Sequence, residues 1–432
     1  MIRMTEDHRA STGGAIPSWS GFIYQGKVAI YHVLRLLCDG KESGYSLKLE
    51  YLEDFCIHKD GDVESLHQVK AIERSGISAY TTYIKNKEKI NAFEKLRNHA
   101  NRIRCSYAYF HLANDVSSKS DADIEKEYAP VKIYNYHDGT NRCPVDQINN
   151  KINQMIEKYY KECRKEELFK NNIDYIEKTR VIIDDIIQKK VLMIHAKMHN
   201  SNYSVSDNIE TMGLSQFKRI LDDDLTTAAI DDVYLLCQIR VRLREYYFQY
   251  IEDQENIHGP LEESIHKKMA DYMMQIENMT SKQVKEFMQG IMPQKEFKCG
   301  SIKEYKDNTP SDEGYRHAFL NILKELKKTD FCESINAFIW KQGEDATYYP
   351  TTIHAAKDLA EDICMNIVDN PKNLYTLYQC GNLITTGIDV TSVYEQIRRQ
   401  KNVDSSPERY DKITKWKKVS LVSLSRAKEH IA

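Results

Sequence analysis

The sequence is poor in chain breakers and in tryptophan, with 9 Pro, 17 Gly and 3 Trp among 432 residues. That scarcity excludes a collagen-like or Pro/Gly-rich low-complexity polymer. No stretch reaches about 18 uninterrupted apolar residues, so no candidate membrane-spanning helix is offered. Residues 1–11 hold charges but none of the apolar run that a secretory leader requires. Neither sign of charge dominates: 61 Lys and Arg stand against 64 Asp and Glu, for a net charge of −3. A nucleic-acid surface would therefore have to be a local patch on an otherwise slightly acidic molecule. No GxxxxGK[ST] segment occurs, so nucleotide hydrolysis is expected of a partner rather than of this chain. The ten cysteines include no CxxC pair, and several lie inside apolar runs such as Leu235-Leu236-Cys237. They read as free thiols in a reducing compartment, which predicts a cytoplasmic protein without structural zinc or disulfides.

Hydrophobic residues make up 41% and charged residues 29% of the chain, the balance of a folded globular protein. Its length allows two domains. Phe22, Val28, Ala29, Val33, Leu36 and Leu37 recur at helical spacing and predict a helix over about 21–38, stopped by Gly40. A strand over Tyr45 to His58 follows, then a hairpin turn at Asp60-Gly61 and a second strand over Ser65 to Ile72. A charged helix over about 83–103 precedes further strands at Cys105 to Ala113 and Val131 to Tyr136. Beyond Cys143-Pro144 the pattern turns to helical periodicity. The expectation is an α/β domain over 18–142, a mixed sheet flanked by helices, and a mainly α-helical region over 143–432.

Period-two alternation along the first strand puts Glu50 and Asp54 on one face and Glu53 on the other, toward solvent. On the second strand Gln68 and Lys70 share a face, and the tight turn makes the two strands neighbours. Two carboxylates, an amide carbonyl and a lysine suit phosphodiester hydrolysis. Mg2+ takes oxygen ligands, here Asp54, Glu50 and Gln68, with Mn2+ as an alternative ion. The ion would polarise the phosphate, and Lys70 would orient the attacking water. Gln25 falls on the apolar stripe of the first helix, where burial without a partner costs roughly 1 to 3 kcal/mol. It either reaches into this site or caps a core pocket. Gly21 and Gly26 would let the helix approach the sheet.

Taken together, Gly21-Phe-Ile-Tyr-Gln25, Leu49-Glu50-Tyr-Leu-Glu-Asp54 and Gln68-Val-Lys70 resemble the PD-(D/E)xK restriction-endonuclease superfamily. The closer resemblance, over about 18–140, is to the double-stranded-DNA endonuclease domain of bacterial anti-phage effectors of the CBASS and Lamassu type. The sequence departs from the superfamily at Gln68, where a second acid is usual; the closer family accepts Gln. A nuclease head followed by a long helical region is similar to the effector subunit of Lamassu, or ABC-three-component, systems. That resemblance implies a restriction-endonuclease-like fold with Asp54, Gln68, Lys70 and Glu50 as catalytic residues and Gln25 in support. It implies double-stranded DNA as substrate, and an SMC- or Rad50-like ATPase complex with its accessory subunit that holds the nuclease silent. It further implies a homo-oligomer once released, with no membrane partner.

The segment from Lys85 to Arg104 has an excess of positive charge, and Lys85, Lys87, Lys89 and Arg97 are candidates for DNA phosphate contacts. A solvated helix face explains the same charges. The rival reading of the whole chain is a catalytically inactive DNA-binding or scaffold subunit, with Gln68 as the mark of lost activity.

Overall fold

The computed structural model describes residues 19–71, 91–115, 120–172, 174–198, 211–299, 301–343, 346–370, 381–393, 395–397 and 419–431. The chain divides into two compact units, residues 1–194 with 202–224, and residues 195–201 with 225–432.

In the first unit, helix α1 spans Trp19–Cys38, and its apolar stripe is buried as its spacing predicts. Next come β1 (Tyr45–Tyr51), β2 (Glu53–Lys59) and β3 (Asp62–Lys70). The expected single strand over 45–58 is thus two strands. β1 and β2 are antiparallel and reverse at Leu52, pairing Leu49 with Phe55 and Tyr51 with Glu53. No glycine or proline marks the reversal. Glu50 and Leu52 instead take left-handed backbone angles, φ 51° and 64°, a conformation that costs non-glycine residues about 1 to 3 kcal/mol each. The turn between β2 and β3 is the one expected, with Asp60 at φ 52° and Gly61 at φ 96°. Positive φ at both central positions suits a two-residue hairpin, and glycine supplies it without steric cost.

Helix α2 (Ala92–Ile103), strand β4 (Tyr107–Leu112), the short helix α3 (Asp121–Glu127) and strand β5 (Val131–Ile133) complete the α/β core. Helices α4 (Ile148–Glu162), α5 (Glu166–Lys170) and α6 (Tyr175–Met198) follow, then the two-residue strand β6 (Met212–Gly213) and α7 (Leu214–Asp222). The six strands lie in the order β5-β4-β3-β2-β1-β6. β4 is parallel to β3 and β5, while the other neighbours are antiparallel, so the sheet is mixed. One face buries Cys56, Leu66 and Phe110 against Phe93, Leu96 and Ala100 of α2. On the other, His32 of α1 sits 4.3 Å ring to ring from His67 of β3. α1 therefore covers the face opposite α2.

This unit does not stop at residue 142. α4 packs along α1, and the compact region continues to Asp224. The change to helical periodicity after Cys143 marks helices added to the same body, so it is not a boundary in space.

The second unit begins with helices α8 (Ala228–His258), α9 (Glu263–Glu277), α10 (Ser281–Ile291) and α11 (Ile302–Asn308). A π-helical segment over Gly314–Leu320 runs into α12 (Asn321–Glu325). Arg244 of α8 and Glu277 of α9 are fully buried, and the guanidinium donates from Nε and Nη2 to the two carboxylate oxygens at 2.6 Å each. The expected mainly helical character holds, and short strands are set among the later helices. Strands β7 (Phe331–Cys332) and β8 (Ala337–Phe338) form a small ribbon. A four-stranded sheet is built from β9 (Trp340–Gln342), β10 (Ala346–Pro350), β11 (Asn382–Thr385) and β12 (Ser420–Ser423), with α13 (Ala360–Asp369) and α14 (Leu424–Ile431) beside it in sequence. Strands of two to five residues carry too little alternation to stand out in sequence. Among the described residues no helix is long and apolar enough to cross a membrane.

Candidate functional site

Asp54 is the hub. Its Oδ2 accepts a hydrogen bond from the Gln68 Nε2 at 2.5 Å and another from the Val69 backbone N–H at 2.6 Å. Both are short, as expected when the acceptor is charged. The antiparallel register of β2 and β3, which pairs Phe55 with His67, puts Asp54 and Gln68 opposite each other. With Nε2 turned to Asp54, the amide leaves Oε1 as an oxygen donor for another group.

Glu50 joins Asp54 across the reversal rather than along a strand. The two stand at facing positions between the Leu49–Phe55 and Tyr51–Glu53 pairs. The two acids are thus brought together as expected, but by a chain reversal and not by alternation along one strand. Both side chains are half-buried. Burial pushes the Glu50 carboxyl well above the usual carboxylate range, and the charge of Asp54 adds to that, while Lys70 and Lys95 oppose it. Asp54 is raised chiefly by burial, against the pull of Lys70 and the Val69 N–H. The acids titrate as a pair that retains a proton more readily than separate carboxylates would. Lys70 is the leading positive influence on both.

Glu53 corrects the expectation of a solvent-facing residue. Its side chain is 1% exposed, with Oε1 2.5 Å from Nδ1 of His99 on α2, although the two atoms are not aligned for a hydrogen bond. Lys95 and His99 are therefore site neighbours that strand patterning did not reveal. Their i, i+4 spacing on α2, beside the buried Leu96 and Ala100, is the signal that would have found them.

Gln25 is buried, and its Oε1 has no hydrogen-bond partner among the described residues. Gly26 serves a different approach from the one expected: a Cβ there would come within 2.9 Å of Ile187 Cγ2, so the contact is with helix α6 and not the sheet. Of the proposed phosphate contacts, Lys85, Lys87 and Lys89 lie outside the described residues. Arg97 is held by Glu94 at 3.1 Å and lies 5.9 Å from the centre of the Tyr128 ring. The nine described cysteines are all free thiols.

Among the described residues, no three or more His, Cys, Asp and Glu side chains are grouped to hold a metal ion. The donor set here is smaller, two carboxylates and an amide oxygen. It still fits a hard divalent cation, which prefers oxygen donors and keeps several waters, because the two acids repel each other and share Lys70 as their main compensation.

No curated protein and no solved structure matches the chain. Residues 131–388 match C-terminal domain 1 of the ABC-three component (ABC-3C) systems. The stretch begins at β5 and runs through most of the second unit, so Glu50, Asp54, Gln68 and Lys70 lie before it. Membership of such a system places this chain in anti-phage defence alongside further components. With well over half of its length in that match, the chain belongs to the family defined by C-terminal domain 1 of the ABC-3C systems.

Proposed function

We propose that the chain is the metal-dependent DNA endonuclease effector of its defence system, with the α/β core of the first unit as the cutting head. The observation that carries this reading is the Glu50–Asp54 pair, bracketed by Gln68 and by the charge of Lys70. The order helix, three-strand antiparallel meander, helix, parallel strand supports a restriction-endonuclease-like core. Asp54, Glu50 and Gln68 Oε1 would hold Mg2+ or Mn2+, which when bound supplies a Lewis acid for the phosphate and a water acidified toward neutral pH. The chain's own groups do the positioning. The Val69 N–H and Gln68 Nε2 fix the Asp54 carboxylate, leaving Oδ1 for a ligand. Lys70 keeps both acids toward their ionised forms and offers an ammonium to a phosphate oxygen or an attacking water. In this reading double-stranded DNA is the substrate, and an SMC- or Rad50-like ATPase complex with its accessory subunit restrains the free, self-associating nuclease.

The test is plasmid cleavage in Mg2+ by purified protein freed of its partners, wild type beside Asp54→Ala and Lys70→Ala. Losing a preorganised charge of this kind slows a reaction on the order of a hundredfold to a thousandfold. Wild-type cleavage that both variants lose, with melting temperatures close to wild type, is the expected result. Absence of cleavage by wild type in Mg2+ and in Mn2+ would hand the case to an inactive DNA-binding or scaffold subunit, for which a neutral Gln68 beside Asp54 is the natural sign.

A further inference from the structure

The C-terminal end of α1 and the β4–β5 edge of the sheet enclose a cavity of about 430 Å³, within the range of roughly 300 to 1,000 Å³ typical of small-molecule sites. Arg35 of α1, Lys41 just beyond it and Lys132 of β5 all line it. Among the described residues none of the three has a carboxylate within ion-pairing distance. Asp39 and Glu125 also reach the wall, Glu125 Oε1 accepting from the Ile133 backbone N–H at 2.9 Å, so three cationic side chains stand against two carboxylates. The balance of charge around the cavity is positive.

Arg35 is set in place before any ligand arrives. Its Nη1 donates to the Asn135 carbonyl at 2.7 Å, and its guanidinium carbon lies 5.4 Å from the centre of the Tyr134 ring. Beside it, His32 lines the cavity although only 7% exposed. The His32 Nδ1 meets the Tyr134 hydroxyl at 2.8 Å, while Nε2 has no partner among the described residues. Burial, aided by Arg35 and Lys41, lowers the His32 pKa to about 3, so the ring is neutral under cellular conditions. In the tautomer that accepts from the Tyr134 hydroxyl at Nδ1, the ring carries its proton on Nε2 and is a neutral donor beside the fixed guanidinium of Arg35. That combination matches an anion with several acceptor oxygens.

We infer that this cavity binds a small phosphate-bearing anion, a phosphate monoester or a diphosphate, at a site separate from the carboxylate pair. The lining includes none of Glu50, Asp54, Gln68 and Lys70, and α1 covers the sheet face opposite the one that Gln68 shares with Leu66. The assignment does not depend on the endonuclease reading, because binding is measured without cleavage.

Isothermal titration of the full-length protein with inorganic phosphate, pyrophosphate and AMP, at constant ionic strength, tests it. A 5′-phosphorylated oligonucleotide serves as a separate arm. We expect saturable one-site binding of pyrophosphate or AMP, weakened about tenfold or more in Arg35→Gln and in Lys132→Gln, since hydrogen bonds to charged groups contribute about 1.5 to 3 kcal/mol. Lys132 is exposed, so its variant should melt like wild type even if Arg35→Gln folds poorly. No saturable heat with any of the three anions, or unchanged affinity in Lys132→Gln, would overturn the site. Binding of the oligonucleotide alone would overturn its assignment to a small ligand.

Discussion

Glu50 and Asp54 face each other across the reversal at Leu52, in the gap between the Leu49–Phe55 and Tyr51–Glu53 pairs. Two acids meet there on a backbone that places Glu50 and Leu52 in the left-handed region. Strain and like charge at one point both subtract from stability. Such outliers concentrate where a ligand later offsets them, and a divalent cation would offset the charge directly.

The first prediction is that Glu50→Gln stabilises the free protein at neutral pH. Folding raises the Glu50 pKa above its ordinary 4.5, so above that pH the native state binds more protons than the unfolded one. Stability therefore falls as pH rises from 4.5 toward the folded value, and the loss persists above it. In thermal melts the variant should exceed wild type at pH 7.5 and converge with it near pH 4. Mg2+ should raise the wild-type melting temperature and leave the variant nearly unmoved. A variant that melts below wild type at pH 7.5 would mean that the Glu50 charge is well compensated without a metal.

The second prediction concerns acid. His32, His67 and His111 are buried together, with His67 Nδ1 3.0 Å from His111 Nε2 and His67 Nε2 2.8 Å from Ser65 Oγ. Burial lowers all three pKa values, that of His32 to about 3, helped by Arg35 or by one another, and no carboxylate is among the causes. The unfolded chain thus binds more protons below pH 6.5. Stability is fully present above 6.5 and is lost as pH falls, by up to about 1.4 kcal/mol per pH unit for each histidine. Denaturation midpoints should be flat from pH 8 to 7 and drop steeply from 6.5 to 5. The double variant His67→Phe with His111→Phe should flatten that drop; an unchanged slope would locate the acid loss elsewhere.

Much of the first unit was legible because its signals are local. Phe22 to Leu37 carry a clean helical period, Asp60-Gly61 is a strong turn, and β4 lies in a run of β-favouring residues. The adjacency of Asp54 to Gln68 followed from that turn. Glu50 was placed by a reversal through Leu52, which has β-favouring neighbours and no glycine, so nothing in the residues announced it. Glu53 was misplaced for the same cause, since its burial depends on His99, 46 positions away on another element. Long-range contacts of that kind leave no periodic trace.

A third prediction tests the second unit. Arg244 and Glu277 form a doubly hydrogen-bonded pair with no exposed surface. Removing one partner strands the other charge in the interior, at a cost of about 3 to 5 kcal/mol, whereas replacing both by apolar residues is often neutral. Glu277→Leu should therefore lower the urea midpoint of this unit sharply. Arg244→Met combined with Glu277→Leu should recover most of the loss. A double variant no better than the single one would point instead to a packing role for the Arg244 stem.

Gln25 separates the two roles that its position allows. Its Oε1 is buried without a partner among the described residues, and such an orphan costs about 1 to 3 kcal/mol. Methionine nearly matches its length and shape and has no amide to satisfy. Gln25→Met should therefore raise the melting temperature by roughly 2 to 4 °C for each kcal/mol regained in a unit of this size. The same variant reports on chemistry. If the amide reaches the carboxylate site in the DNA complex, cleavage should fall while stability rises, because the polar group is then needed only when substrate and metal are present. A gain in melting temperature with cleavage at the wild-type rate would confine Gln25 to the core, and a loss of stability would mean that its oxygen has a partner in the folded protein after all.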